Sequence, residues 1–88
     1  MRICYRFTLD CARFGTLTGV FTAEENDIQS IIGENVYFGE VLGKHSEVSA
    51  LMEPDMFTKL TDDQDFIAKF DEFGLESGYN PLDYYEED

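Results

Sequence analysis

The chain of 88 residues has few cysteines, histidines and basic residues: two cysteines, one histidine and six lysines and arginines. Cys4 and Cys11 would be about 20 Å apart on one extended strand, beyond the reach of a disulfide. A disulfide between them remains an alternative if the chain turns before the end of the predicted strand. Free thiols are typical of a reducing compartment. Two cysteines at this spacing, with a distant histidine, do not form the pattern of a zinc site.

Long apolar segments are also missing. No run of about 18 apolar residues is present, so we expect no membrane span. The N-terminus alternates polar and apolar residues, unlike the apolar core of a signal peptide. Hydrophobic residues are 43% of the chain and aromatic residues 15%, which is enough for one core. We predict a single cytoplasmic domain, with a core over about residues 1–75 and an acidic tail over 76–88.

No motif supports catalysis. The segment Gly39–His45 differs from a P-loop in its glycine spacing, in having His45 where a magnesium-binding Ser or Thr is needed, and in preceding a strand. Asp62–Asp65 lacks the glycine and the distal glutamate of an EF-hand. His45 has no predictable nucleophile, because Ser46 would point away from it in an extended chain. We therefore predict no enzyme activity, cofactor or metal.

The first half of the chain predicts a hairpin and a helix. Apolar residues alternate with polar ones over residues 2–9, as in a half-buried strand. Residues 16–22 are rich in Thr, Val and Phe and predict its partner. Thr22 and Glu25 form a capping box for a helix with an isoleucine stripe, which ends at Gly33.

The same order then repeats. Strands are predicted over residues 36–42 and 47–52, followed by a connection over 53–60. Thr61 and Gln64 form a second capping box, 39 residues after the first capping threonine. The helix that follows has an apolar stripe of Phe66, Ile67, Phe70 and Phe73 and ends at Gly74. We predict an α+β fold, ββα–ββα, with a four-stranded, mainly antiparallel sheet and both helices on one face.

Acidic residues dominate what is present. Nineteen acids give a net charge of −13, and the net charge is +2 over residues 1–20, −5 over 21–50 and −10 over 51–88. Solubility requires a net charge of only about 2–8, with the two signs interspersed. Because the signs are segregated here, the charge indicates a basic partner.

We predict that the second helix and the tail bind this partner. Asp65 can pair with Lys69. Asp71 and Glu72 lie in the last turn, where the helix dipole disfavours anions, and no base follows them. Tyrosines in the tail add rigid anchors. The predicted partner-binding residues are Asp65, Asp71, Glu72, Glu76, Tyr79, Asp83, Tyr84, Tyr85, Glu86 and Glu87.

In size, acidity and lack of catalytic residues, the chain resembles the small acidic inhibitors that phages use against host restriction, CRISPR and related defences. The resemblance implies a non-enzymatic DNA mimic that occupies a basic, nucleic-acid-binding surface of a host protein in the bacterial cytoplasm. It implies no direct binding to nucleic acid or membrane. It assigns a role to no individual residue, and it leaves the oligomeric state, including a homodimer, open.

An alternative is a small module that sequesters an anionic nucleotide. Three hydrogen-bonding side chains cluster in the predicted turn at residues 44–46, and the N-terminal hairpin supplies three arginines. The alternative ligand-binding residues are Arg2, Arg6, Arg13, Lys44, His45 and Ser46. Binding that depends on charge should weaken steeply with salt, whereas a stacked nucleotide should respond less.

Overall fold

The computed structural model of the protein describes residues 1–43 and 47–85. In chain order their elements are β1 (Arg2–Asp10), β2 (Thr16–Glu24), α1 (Glu25–Ile31), β3 (Asn35–Gly39), β4 (Val48–Leu51), β5 (Phe57–Thr61), α2 (Gln64–Phe73), β6 (Ser77–Gly78) and α3 (Pro81–Tyr84). The predicted α+β class with a four-stranded antiparallel sheet is confirmed. Within the described residues, no helix has both the length and the apolar composition needed to cross a bilayer.

The sheet is built around one long hairpin. β1 and β2 form the predicted hairpin, and they pair without a break from Arg2 opposite Glu24 to Asp10 opposite Thr16. The strand order is β5–β1–β2–β6, and each neighbouring pair is antiparallel. The outer strands correct the prediction, because they come from the segments assigned to a connection and to the tail. β3 and β4 pair only with each other, in a separate two-stranded sheet.

The main core lies on one face of this sheet. It buries the alternating residues of β1, including Ile3 and Phe7, together with Leu17 and Phe21 of β2. The small sheet covers this face, and the rings of Phe7 and Phe38 stack with their centroids 5.9 Å apart. α1 adds its two buried isoleucines to the same cluster. The small sheet is thus a cover over the core rather than an extension of the main sheet.

The two helices lie on opposite faces of the sheet, which corrects the prediction that they share one. α2 packs its buried Ile67 and Phe70 against Cys4 and Val20, whereas α1 packs against the main core. Successive side chains of a strand point to opposite faces. Cys4 therefore points away from its neighbour Ile3, and β1 is buried on both faces where α2 covers it.

α1 begins without the predicted capping box. Thr22 lies inside β2, and the N-cap residue is Glu24, whose side chain makes no capping hydrogen bond. Instead, the backbone N–H of Glu25 donates to the carbonyl of Met1 at 3.1 Å. The chain passes directly from β2 into α1, so a backbone carbonyl just before β1 accepts from the first N–H group of the helix.

Residues 77–85 pack against the rest of the fold and do not form the predicted tail. β6 pairs with β2 through Gly78 opposite Gly19. α3 follows, with Pro81 buried. The ring centroids of Tyr84 and Phe38 are 5.0 Å apart. The aromatic residues of this segment provide the apolar area that keeps it attached to the main core.

Candidate interaction surface

α2 has a defined start and end. The carboxylate of Asp63 accepts from the backbone N–H groups of Asp65 and Phe66, at 3.0 and 3.4 Å. Asp63 is therefore the N-cap, rather than the predicted Thr61, because its carboxylate reaches the free N–H groups of the first turn. The predicted end is confirmed, since Gly74 adopts the left-handed conformation at φ 62°. The helix presents its side chains from a fixed position.

Asp71 has partners, which corrects the expectation that it lacks a basic neighbour. Its carboxylate forms an ion pair with the guanidinium of Arg2 at 3.3 Å. It also accepts a hydrogen bond from the hydroxyl of Thr22, which in turn accepts one from Arg2. The neighbouring base comes from β1, 69 residues earlier in the chain, so sequence spacing could not reveal it. Asp71 anchors α2 to the sheet.

The other acids of the second helix differ in their environment. Lys69 pairs with Glu72 at 3.3 Å, not with Asp65 as predicted. The carboxylate of Glu76 accepts from the side-chain amide of Asn80 at 3.1 Å. Asp65 is exposed, and within residues 1–43 and 47–85 its side chain takes part in no ion pair. Asp65 and Glu72 therefore both lie on the solvent side of α2, and only Glu72 is paired.

The predicted tyrosine anchors belong to the fold. Tyr79, Tyr84 and Tyr85 are partly buried and pack against the main core. Asp83 is exposed on α3. Glu86 and Glu87 lie outside the described residues. Asp83 therefore faces solvent, while the tyrosines hold α3 against the core.

An apolar cleft lies between α2 and β5. Its volume is about 410 Å³. The residues that line it come from three strands, from the N-cap of α2 and from α2 itself, and they are Cys4, Val20, Leu60, Thr61, Asp63, Phe66 and Phe70. Cys4, Ile67 and Phe70 form the buried cluster beneath it. The cleft exists because α2 covers only part of this face of the sheet.

Exposed aromatic residues beside the cleft were missed by sequence reasoning. Phe66 and Phe73 are 47% and 66% exposed, although both were assigned to the buried stripe. Leu60 and Leu75 are 40% and 53% exposed on either side of the helix in the chain. A signal was present in the spacing, because Phe66 and Phe73 are seven residues apart and lie at the edge of a stripe centred on the buried Ile67 and Phe70. The surface of α2 is thus apolar as well as acidic.

Carboxylates are exposed throughout the described residues, where no acidic residue is buried or half-buried. Ion pairs in this part of the chain engage only Glu24, Asp62, Asp71 and Glu72. Exposed pairs of this kind contribute about 0–1 kcal/mol each. Most of the negative charge is therefore not neutralised within the described fold.

The alternative ligand site is only partly assembled. Arg2 and Arg13 lie near opposite ends of the β1–β2 hairpin, and Arg2 is already paired with Asp71. Arg13 lies over the ring of Phe14, 5.4 Å from its centroid, and Arg6 is exposed in the middle of β1. Lys44, His45 and Ser46 lie outside the described residues. The three arginines therefore do not converge on one anion.

The thiols are poorly suited to nucleophilic chemistry. Cys4 and Cys11 are both free. Burial, and then the charge of Asp71, raises the pKa of the Cys4 thiol, while burial and then Asp10 raises the pKa of Cys11. A thiol with a raised pKa is protonated at neutral pH, and the thiolate is the reactive form. Among residues 1–43 and 47–85, no group of His, Cys, Asp and Glu is arranged to hold a metal ion.

Comparison with known proteins gives no relative: no family model, no curated protein and no solved structure matches the chain.

Proposed function

We propose that the protein is a non-enzymatic binding protein whose acidic surface occupies the basic, nucleic-acid-binding surface of a partner protein. The observation that carries the proposal is the exposure of every described carboxylate, with few of them paired, on a chain of net charge −13. Self-repulsion of this kind opposes compaction. A basic partner removes that cost when it binds.

A nucleic-acid-binding surface is the partner surface that fits best. Such surfaces place Lys and Arg to match a regular series of phosphates. Carboxylates that follow one another along a helix are about 5–6 Å apart, which is on the scale of the phosphate spacing. α2 carries Asp65 and Glu72 on its exposed side, seven residues and thus two turns apart, which is about 10 Å along the helix axis, and Asp83 of α3 has the same sign. The result is a competitor for nucleic acid, of the kind that phages direct against restriction or CRISPR enzymes in the bacterial cytoplasm.

The first experiment is competition. The tagged protein captures partners from a nuclease-treated bacterial lysate, each partner is purified, and its complex is challenged with duplex DNA and with RNA. The expected result is that one of these nucleic acids displaces the protein. Rising salt should lower the association rate more than it raises the dissociation rate. A partner that binds the protein and nucleic acid at the same time would overturn the proposal of mimicry.

A pair of double variants tests the role of α2. Asp65→Asn with Glu72→Gln removes two charges from α2. Asp27→Asn with Glu34→Gln removes two exposed charges from α1 and the turn after it, and serves as the matched control. Association with the purified partner should slow at least about 10-fold in the α2 variant and less than about 3-fold in the control. Equal slowing would mean that net charge, and not α2, determines the encounter.

A further inference from the structure

We propose that the cleft between α2 and β5 is the docking socket for an apolar side chain of the partner, presented by a basic segment. The inference rests on the proposed function and names the chemistry that this site recognises. Charge attracts a partner over a distance but discriminates little between basic segments of different shape. The cleft would supply the short-range contact that decides which basic segment stays bound.

The dimensions of the cleft favour a side chain over a larger occupant. Its volume of about 410 Å³ is at the low end for small-ligand sites, which are typically about 300–1,000 Å³. Val20 and Phe70 lie at its base, and the exposed Leu60 and Phe66 form its two walls. The base belongs to rigid elements, so the socket is formed before the partner arrives.

The apolar area around the cleft points to a binding role. Leu60, Phe66 and Phe73 are each at least 40% exposed on neighbouring elements. Apolar surface that is contiguous and bordered by polar residues marks interaction sites on soluble proteins. Scattered single residues would carry no such meaning. Here Leu60 and Phe66 line a concave feature, and Phe73 lies two turns farther along α2 than Phe66.

The charge at the cleft identifies the occupant. Asp63 lines the cleft, and Asp62 and Asp65 flank it in the chain. Lys59 balances only Asp62, at 3.3 Å. A second copy of this chain, nucleic acid or an anionic lipid surface would each bring negative charge to this point and be repelled. A cationic segment is the complement.

The sheet gives the occupant an orientation. Arg6 lies opposite Val20 and opposite Thr58 in the pairing register, so it is on the same sheet face as the cleft. The sheet side of the cleft is therefore less negative than the α2 side. The basic residues of the partner should lie over the start of α2, with its apolar side chain directed toward Val20.

The test uses short synthetic peptides as probes. One peptide has tryptophan flanked by lysines, a second has alanine flanked by lysines, and a third has tryptophan flanked by glutamates. The protein contains no tryptophan, so tryptophan emission reports on the probe alone. The expected result is a blue shift and saturable binding for the first peptide. The alanine peptide and the glutamate peptide should each bind at least about 10-fold more weakly than the first peptide. Binding of the alanine peptide, which has no tryptophan, is measured by its displacement of the first peptide.

Two matched variants separate the cleft from general charge. Leu60→Lys places a cation on the wall of the cleft. Leu51→Lys makes the same change at an exposed strand residue of the small sheet. We expect Leu60→Lys to weaken the lysine–tryptophan peptide at least about 10-fold and Leu51→Lys less than about 3-fold. Phe66→Ala, compared with Phe14→Ala at a similarly exposed phenylalanine, should give the same contrast. Circular dichroism checks that each variant is folded.

Several outcomes would overturn the inference. Equal weakening by the two lysine variants would show attraction by net charge alone. Equal binding of the glutamate peptide would show a neutral apolar site, and no saturable binding would show no socket. Self-association in sedimentation, abolished by Leu60→Lys, would identify a second copy as the occupant. None of these results decides the proposed function, which depends on displacement by nucleic acid.

Discussion

Replacing Gly19 by alanine should detach the C-terminal segment from the sheet. A Cβ atom on Gly19 would lie 2.0 Å from the carbonyl oxygen of Tyr79 and 2.6 Å from its nitrogen. Both are backbone atoms, so no side-chain rotation relieves the overlap. β6 would have to move away by more than about 1 Å to restore ordinary contact. The opposite residue, Gly78, has the same restriction, because its Cβ would lie 2.1 Å from the carbonyl oxygen of Thr18.

The cost follows from what this movement breaks. It removes the 3.0 Å hydrogen bond from the N–H of Tyr79 to the carbonyl of Thr18, and such bonds contribute about 1 kcal/mol each. It also withdraws Pro81 and Tyr84 from the core, where a fully buried large side chain contributes about 1.5–3 kcal/mol. Each residue that is freed regains conformational entropy worth about 1–2 kcal/mol, which offsets much of the lost contact energy. We expect a net loss of about 2–4 kcal/mol.

A urea titration, monitored by circular dichroism and tyrosine fluorescence, measures this loss of unfolding free energy. If the segment is already detached in the native state, less surface is exposed on unfolding, so the m-value should fall together with the midpoint. Gly33→Ala is the control, because Gly33 has φ +88° and no atom within 4 Å of its added Cβ. Its cost should be conformational, about 1–2 kcal/mol, with an unchanged m-value. A Gly19→Ala protein within about 0.5 kcal/mol of wild type, with the same m-value, would refute the close approach.

Three further predictions concern α2 and the sheet beneath it. Phe70→Ala should lower the unfolding free energy by about 3 kcal/mol in a urea titration, while Phe66→Ala, which removes a 47% exposed ring, should lower it by under about 1 kcal/mol. Equal losses would contradict the orientation of α2, in which Phe70 faces the sheet and Phe66 faces solvent. Asp71→Asn should lower stability by up to about 1 kcal/mol through loss of the pair with Arg2, and a gain in stability would contradict that pairing. Burial raises the pKa of the Cys4 thiol above its ordinary 9.0, so the folded state favours the protonated thiol. The contribution of this thiol to the unfolding free energy is complete below pH 9.0 and is lost as the pH rises through the folded-state pKa. Cys4→Ala should therefore flatten the decline in unfolding free energy above about pH 9, and parallel pH profiles would refute this.

The local elements were largely predictable from the sequence. Alternation over residues 2–9 located β1, because side chains on a half-buried strand must alternate, and the Thr, Val and Phe content of residues 16–22 located β2. Gly74 located the end of α2, since a left-handed residue there favours glycine. The start of α2 was displaced by two residues, because Thr61 and Asp63 can both cap and only the final path of the chain selects one.

The candidate surface was only half predictable. Composition revealed the acids, and the structure keeps Asp65, Glu72 and Asp83 exposed. It could not reveal the apolar cleft, which depends on how far α2 and β5 stand apart. The exposure of Phe66 likewise depends on which side of α2 faces the sheet. A helical stripe of four apolar residues is compatible with more than one such orientation.

The partners of each strand and the faces taken by the helices were decided by tertiary structure. The period of two shows that a strand has two faces, but not which strand lies beside it. Cys4 and Val20 lie on the sheet face that the alternation assigned to solvent, and α2 covers them. Only the packed chain places α2 there, α1 on the opposite face and β6 against Gly19. Sequence patterns follow from local geometry, whereas strand order depends on contacts between distant residues that compete for the same edge and the same apolar surface.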